Sequence, residues 1–179
     1  MTNDCERILL TKEQIDKRVG EIAAELNEKY AGRHPLCVCI LKGAVVFYAD
    51  LLRRLDLDVM LDFMVVSSYG TGSVSSGALK IAKDLSVDIR GQEVIIVEDI
   101  IDSGFTLACL KKMMLERGAK SVTIVTLLDK ASRRTADVSS DYNGFVIEDE
   151  FVVGYGLDYA ERYRNLPYIG ILKRSVYEK

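Results

Sequence analysis

Two adjacent carboxylates, Glu98 and Asp99, close the apolar run Val94-Ile-Ile-Val97, and two further apolar residues lead to Asp102-Ser103-Gly104-Phe105-Thr106. Gly104 permits a tight turn. Ser103 and Thr106 place hydroxyls around backbone amides where a helical pattern begins, which makes a ready anion site. Carboxylates beside an anion site look contradictory until the ligand is given sugar hydroxyls next to its phosphate. A capped strand-turn-helix junction is the plainer reading of the same run. A Walker loop is excluded, because no paired glycines are followed by Lys and Ser/Thr.

Positioning that run requires a buried strand ahead of it and a helix behind it. The β-branched run from Glu93 to Glu98 suits a buried parallel strand, and Leu107, Leu110 and Met114 give the following helix one apolar side, ending near Gly118. Thr11-Lys-Glu-Gln14 reads as a capping box opening a helix. That helix carries Ile15, Val19, Ile22, Ala23, Leu26 and Tyr30 and stops at Gly32. Further strands are expected at 36–41, 59–67, 78–85 and 122–128, with a helix carrying Val45, Tyr48, Leu52 and Leu55 after the first of these. Strands alternating with helices predict an α/β fold, with a mostly parallel central sheet flanked by helices. Ligands then sit at the carboxyl ends of the strands. Lys42, the segment from Asp99 to Thr106 and Lys130 all fall there. After residue 140 the alternation stops, with short strands expected at 145–153 and 168–172. One domain is expected, with a core of about 36–140 and a small hood drawn from about 1–35 and 141–179. Ser68 to Gly77 holds three glycines and four serines, and reads either as a surface connection or as a flexible lid over a site.

The chain of 179 residues carries 24 basic and 27 acidic side chains, a net charge of -3, so no general attraction to nucleic acid is expected. Arg53-Arg54 and Arg133-Arg134 read as solvated pairs. No apolar stretch approaches a membrane span. Charges at Asp4, Glu6 and Arg7 break any signal-like start, and four cysteines without zinc spacing read as thiols in a reducing cytoplasm.

The central run resembles the phosphoribosyl-pyrophosphate motif of the type I phosphoribosyltransferases. Leu41-Lys42-Gly43, Ser68-Tyr69-Gly70, Leu127-Leu-Asp-Lys130 and Phe151-Val-Val-Gly-Tyr-Gly-Leu-Asp-Tyr159 follow in the family's order. Together they resemble the bacterial hypoxanthine-guanine phosphoribosyltransferases over nearly the whole chain. The resemblance implies a purine-salvage transferase that joins phosphoribosyl pyrophosphate to hypoxanthine or guanine, giving IMP or GMP and pyrophosphate. It implies Mg2+ held by Glu98, Asp99 and Asp158, and a homodimer or homotetramer. Glu98 and Asp99 would hold the ribose. Asp102, Ser103, Gly104, Phe105 and Thr106 would cradle its phosphate, and Lys42, Gly43 and Arg164 would meet pyrophosphate. In the family the Leu41–Lys42 peptide is typically cis. Lys130 would donate to the purine 6-oxo group, Phe151 would stack on the base, and Val152 would offer backbone groups to its edge, with Asp158 nearby. Ser68 and Tyr69 would open the lid. Asp102 would act as the base at purine N7, or supply charge alone. A xanthine-specific transferase and a donor-sensing, RNA-binding regulator are the competing readings.

Overall fold

The computed structural model describes residues 2–68 and 79–178. Its centre is a six-stranded sheet in the order β4-β3-β2-β5-β6-β7, formed by β2 (Leu36–Leu41), β3 (Met60–Ser68), β4 (Leu79–Lys83), β5 (Glu93–Ile101), β6 (Ser121–Asp129) and β7 (Tyr142–Val146). All neighbours run parallel except β3 and β4. The expected mostly parallel sheet is therefore present, with one antiparallel edge strand.

Helix α1 (Lys12–Lys29) starts as its sequence requires. Thr11 Oγ1 accepts from the Gln14 N–H at 3.3 Å, and Gln14 Oε1 accepts from the Thr11 N–H at 2.8 Å. Its fully buried Ile15, Val19, Ile22 and Leu26 pack on one sheet face with Cys39, Ile95, Val97 and Val125. Helix α2 (Val45–Leu52) covers the same face. Its buried stripe is Ala44, Phe47, Tyr48 and Leu51, while Val45 is exposed and Leu52 only half-buried. The stripe expected from Val45 and Leu52 is thus displaced by one position, because Ala44 places Phe47, Tyr48 and Leu51 at the i+3, i+4 and i+7 spacing of one helix face. Helix α3 (Phe105–Glu116) covers the opposite face through Leu107, Leu110 and Met114, as expected.

The second sheet is a three-stranded antiparallel hood, β1 (Cys5–Leu10), β9 (Ile169–Leu172) and β8 (Val152–Val153), in the order β1-β9-β8. The short helix α4 (Arg174–Tyr177) follows it. Strand β1 gave no signal in the sequence, because Glu6 and Arg7 interrupt its apolar residues. The two terminal segments divide between the layers. Strand β1 joins the hood, whereas α1 lies on the central sheet; likewise β7 joins the central sheet, whereas β8 and β9 form the hood. Tyr155 ties the layers together by donating from its hydroxyl to Asp50 Oδ2 of α2 at 2.6 Å.

All four cysteines are free. Burial pushes the Cys37 and Cys39 thiols up to about 12, which leaves them inert packing groups. Among the described residues no helix is long and apolar enough to cross a membrane.

Strand β2 has β3 on one side and β5 on the other, so the chain leaves β2 and β5 toward opposite edges of the sheet. A parallel sheet opens a crevice at such a switch point, outside the carboxyl ends of its strands. Lys42 follows β2 there, and Asp102 follows β5.

Candidate active site

Strand β5 runs three residues beyond its expected end at Glu98. From Val94 to Val97 its side chains alternate between the two sheet faces, but Ile100 packs on the same side as Val97 and Ile101 on the other. The alternation therefore slips at the acidic pair. As a result Glu98 and Asp99 both border one cavity of about 360 Å³, whose wall also includes Asp102, Ser103, Gly104 and Thr106. Asp99 is buried, and Glu98 Oε2 is buried without a hydrogen-bond partner. Burial pushes both carboxyls above the usual carboxylate range, and the Asp99 charge raises Glu98 further. Asp99 Oδ1 accepts from the Ile100 N–H at 2.7 Å, whereas the Glu98 oxygen awaits a partner.

Gly43 explains the fixed position of Asp99. A Cβ on Gly43 would lie 1.6 Å from Asp99 Oδ2, so only a bare backbone can pass the carboxylate. A Cβ on Gly156 would in turn lie 2.0 Å from the Gly43 carbonyl oxygen, and Gly156 has φ of +103°. The hood segment therefore rests on the β2 loop, and that loop rests on the acidic pair. The Leu41–Lys42 peptide between β2 and Gly43 is cis, as the family resemblance implied.

The loop from Asp102 to Phe105 is braced from outside. Arg134 Nε donates to the Asp102 carbonyl at 3.0 Å. The Thr135 and Ala136 N–H groups both donate to the Ser103 carbonyl at 3.0 Å. Arg134 also donates to the Val138 carbonyl at 2.8 Å and pairs with the Asp129 carboxylate. These contacts hold the loop's carbonyls on the outer side, and Ser103, Gly104 and Thr106 line the cavity. Gly104 makes the turn at φ +82°, and Ser103 Oγ accepts from the Phe105 N–H at 3.4 Å. Arg134 is consequently not the solvated surface residue that the pair Arg133-Arg134 suggested. Its side chain is 17% exposed and shapes the loop.

Arg133 Nε stands 3.0 Å from Asp102 Oδ1, close enough for charge attraction although that oxygen makes no aligned hydrogen bond. Arg133 also reaches Asp149 Oδ1 at 3.3 Å, and Lys130 Nζ reaches the same oxygen at 3.4 Å. Asp149 thus links Lys130, only 8% exposed at the end of β6, to the guanidinium on Asp102. Arg133 read in the sequence only as half of a solvated pair, and Asp149 was not singled out, since an isolated surface charge leaves no periodic signal.

The hood supplies the remaining groups. Arg164 holds Asp158 Oδ1 at 2.8 Å and the Gly156 carbonyl at 2.8 Å, and its charge is felt at Asp99. Asp158 Oδ2 also accepts from the Glu161 N–H at 2.9 Å. Asp158, which the resemblance puts beside a second magnesium, is engaged by Arg164, and no group of three acidic, His or Cys side chains converges among the described residues. Glu161, also unforeseen, stands 3.0 Å from Lys42 Nζ and 3.5 Å from Arg164. Leu172 N–H donates to the Phe151 carbonyl at 2.8 Å, and Val152 pairs with Ile171. In an antiparallel ladder the next residue turns its N–H and C=O away. Those of Val152 hence face the outer edge of β8, which has no further strand among the described residues. Ser68 ends β3, and Tyr69, with the rest of the expected lid, lies outside the described residues.

Replacing Glu98 by Gln removes a buried titratable carboxyl while keeping the shape. Its raised folded pKa means that ionisation works against folding once the pH exceeds the ordinary carboxylate value. The melting temperature at neutral pH should therefore rise, corresponding to about 1 kcal/mol, and the gain should vanish at pH 4 or below, where both states are protonated.

This geometry has close counterparts. A family model for the phosphoribosyl transferase domain matches residues 8–160. The hypoxanthine-guanine phosphoribosyltransferase of Bacillus subtilis (strain 168) is 54% identical over 178 residues, covering 99% of each chain. That of Streptococcus thermophilus (strain CNRZ 1066) is 49% identical, over 100% of this chain and 99% of its own. The crystal structure of a hypoxanthine phosphoribosyltransferase from Staphylococcus aureus superposes with a TM-score of 0.97 at 49% identity, covering 100% of this chain and 97% of that one. Matched over nearly its full length by these relatives, the chain belongs to the phosphoribosyltransferase family, in its hypoxanthine-guanine branch.

Proposed function

We propose that this transferase moves the 5-phosphoribosyl group of phosphoribosyl pyrophosphate to N9 of hypoxanthine or guanine, giving IMP or GMP and pyrophosphate. The observation that carries the reading is the acidic cavity and the braced loop at the switch point, with the buried Lys130 following the neighbouring strand β6 at the same end of the sheet. Glu98 and Asp99 hold the ribose hydroxyls, which satisfies the orphaned Glu98 oxygen. The Ser103 to Thr106 segment receives the 5'-phosphate through its amides, a contact indifferent to the Phe105 side chain. Lys42, Gly43 and Arg164 meet pyrophosphate.

The base enters beside Lys130, whose ammonium donates to a 6-oxo group and finds no acceptor on a 6-amino purine. The outward backbone of Val152 is suited to the purine edge, and the partly exposed ring of Phe151 to its face. As the bond from C1 to pyrophosphate breaks, N9 bonds to C1 and the proton on N7 leaves for Asp102. Asp102 also faces the positive charge that develops on the sugar.

Paired carboxylates beside substrate oxygens suit Mg2+, a hard cation that commonly takes one or two carboxylates plus phosphate oxygens. Glu98 and Asp99 fit this through the unpartnered oxygen and the shared cavity. Mg2+ held there would neutralise charge on the departing pyrophosphate. Asp158 would join a second ion only by exchanging its Arg164 contact. The free thiols support a cytoplasmic setting. A homodimer or homotetramer would cover exposed apolar residues such as Met60 and Leu61.

Nucleotide formation with hypoxanthine, guanine, xanthine and adenine tests the reading: hypoxanthine and guanine should react, and adenine should not. Lys130→Ala should raise the hypoxanthine KM roughly ten-fold or more, the loss of a charge-assisted hydrogen bond, with the donor KM unmoved. An unchanged hypoxanthine KM refutes the base-site assignment. Asp102→Asn should lower kcat at least about a hundred-fold while donor binding, measured by calorimetry, persists.

A further inference from the structure

Phe151 lies just before the edge strand β8, with its carbonyl pinned by Leu172. That contact fixes the backbone and leaves the two side-chain torsions free, so the plane of the ring must be set by its neighbours. Two tyrosines set it. Tyr177, the last residue of α4, stacks on one face with ring centroids 4.7 Å apart and planes 22° from parallel. Tyr159 meets Phe151 edge-on at 5.6 Å and 86°. The two tyrosines touch each other at 6.4 Å and 65°, closing a triangle of rings.

This triangle is anchored, because Tyr159, Val176 and Tyr177 pack against the hood cluster of Cys5, Val153, Tyr163, Leu166 and Leu172. Phe151 nevertheless remains 37% exposed. With one face covered by Tyr177 and one edge by Tyr159, the ring offers its opposite face to a flat ligand.

We infer that Tyr177 is a positioning residue for the purine: it backs Phe151 from behind and fixes the plane on which the base stacks, so that the end of the chain contributes to purine affinity. The inference rests on the reading that Phe151 stacks on the base. Offset and edge-on ring contacts are directional, and a preset ring spares the ordering that would otherwise accompany base binding. Removing Tyr177 therefore weakens the purine and leaves the donor untouched.

Steady-state kinetics of the full chain with hypoxanthine and phosphoribosyl pyrophosphate decide the matter, using Tyr177→Ala, Tyr177→Leu, Tyr177→Phe and Phe151→Leu. Tyr177→Ala should raise the hypoxanthine KM about five-fold, from the magnitude of one aromatic pair, with a smaller change in kcat and an unmoved donor KM. Tyr177→Leu serves the same purpose if the alanine variant does not fold, and Tyr177→Phe should restore the KM because stacking needs no hydroxyl. A hypoxanthine KM that is unchanged or lower in Tyr177→Ala overturns the inference, the lower value meaning that Tyr177 covers the face the base requires. Failure of Tyr177→Phe to restore the KM overturns it as well. If Phe151→Leu leaves the hypoxanthine KM unchanged, the stacking role of Phe151 itself falls; if Phe151→Leu raises it and Tyr177→Ala does not, only the role of Tyr177 falls.

Discussion

The bare backbone of Gly43 is the contact on which the rest of the site depends. It passes so close to the Asp99 carboxylate on one side, and is approached so closely by Gly156 on the other, that a single methyl group at either glycine would collide with its neighbour. Three parts of the chain separated by more than fifty residues each are brought into register this way: the end of β5, the loop after β2, and the hood segment before Asp158. Most side-chain contacts at the site are adjustable ion pairs, worth little by themselves when exposed. The approach of Gly156 to the Gly43 carbonyl is backbone against backbone, with no side chain to give way, and it sets where the hood and its Arg164 lie relative to Lys42.

Charge is arranged around that contact in layers. Nearest the strand ends are the buried Glu98 and Asp99, whose carboxyls burial holds above their usual range. Around them stand Lys42 and Arg164, joined through Glu161, then Asp102 with Arg133 and Asp149 with Lys130. Each cation is already next to a carboxylate, so an anionic substrate exchanges partners instead of meeting bare charge. The Lys42 partner Glu161 is held in the left-handed region, at φ +61°, in a turn that also includes Ala160 at +50° and Tyr163 at +77°. Such backbone strain is sustained only where the surroundings over-determine it, here by Asp158, Arg164 and the Tyr163 hydroxyl bonded to Asp4.

Much of this was legible in the sequence, for definable reasons. The capping box at Thr11 and the stripe on α1 are local patterns, and local patterns survive folding. The order of strands and helices alone places Lys42, the 102–106 loop and Lys130 at one sheet end. Family motifs then gave roles to residues such as Phe151 and Val152 that periodicity alone would have left in the core. Long-range complementarity was not legible. Arg134 reads as one half of a surface pair, yet it braces the loop after β5 through the carbonyl of Asp102. Gly156 reads as one glycine among thirteen, yet its position against Gly43 joins hood to core. Strand β1 has no regular alternation because its pairing with β9 shifts register between Cys5 and Arg7 and again between Ile8 and Leu10, and the face slip at Glu98 and Asp99 left no pattern in the sequence.

The most direct test is the kinetic effect of Gly156→Ala on both substrates. Gly156 belongs to the hood and is not assigned a contact with the donor, so its influence there passes through Gly43 and through Arg164, which donates to the Gly156 carbonyl. If the backbone contact sets the site, the variant should fold and should raise the KM values of phosphoribosyl pyrophosphate and of hypoxanthine together, each roughly ten-fold or more, as expected when reacting groups are displaced by about an ångström. An unchanged donor KM, with the hypoxanthine KM raised or not, would contradict the account.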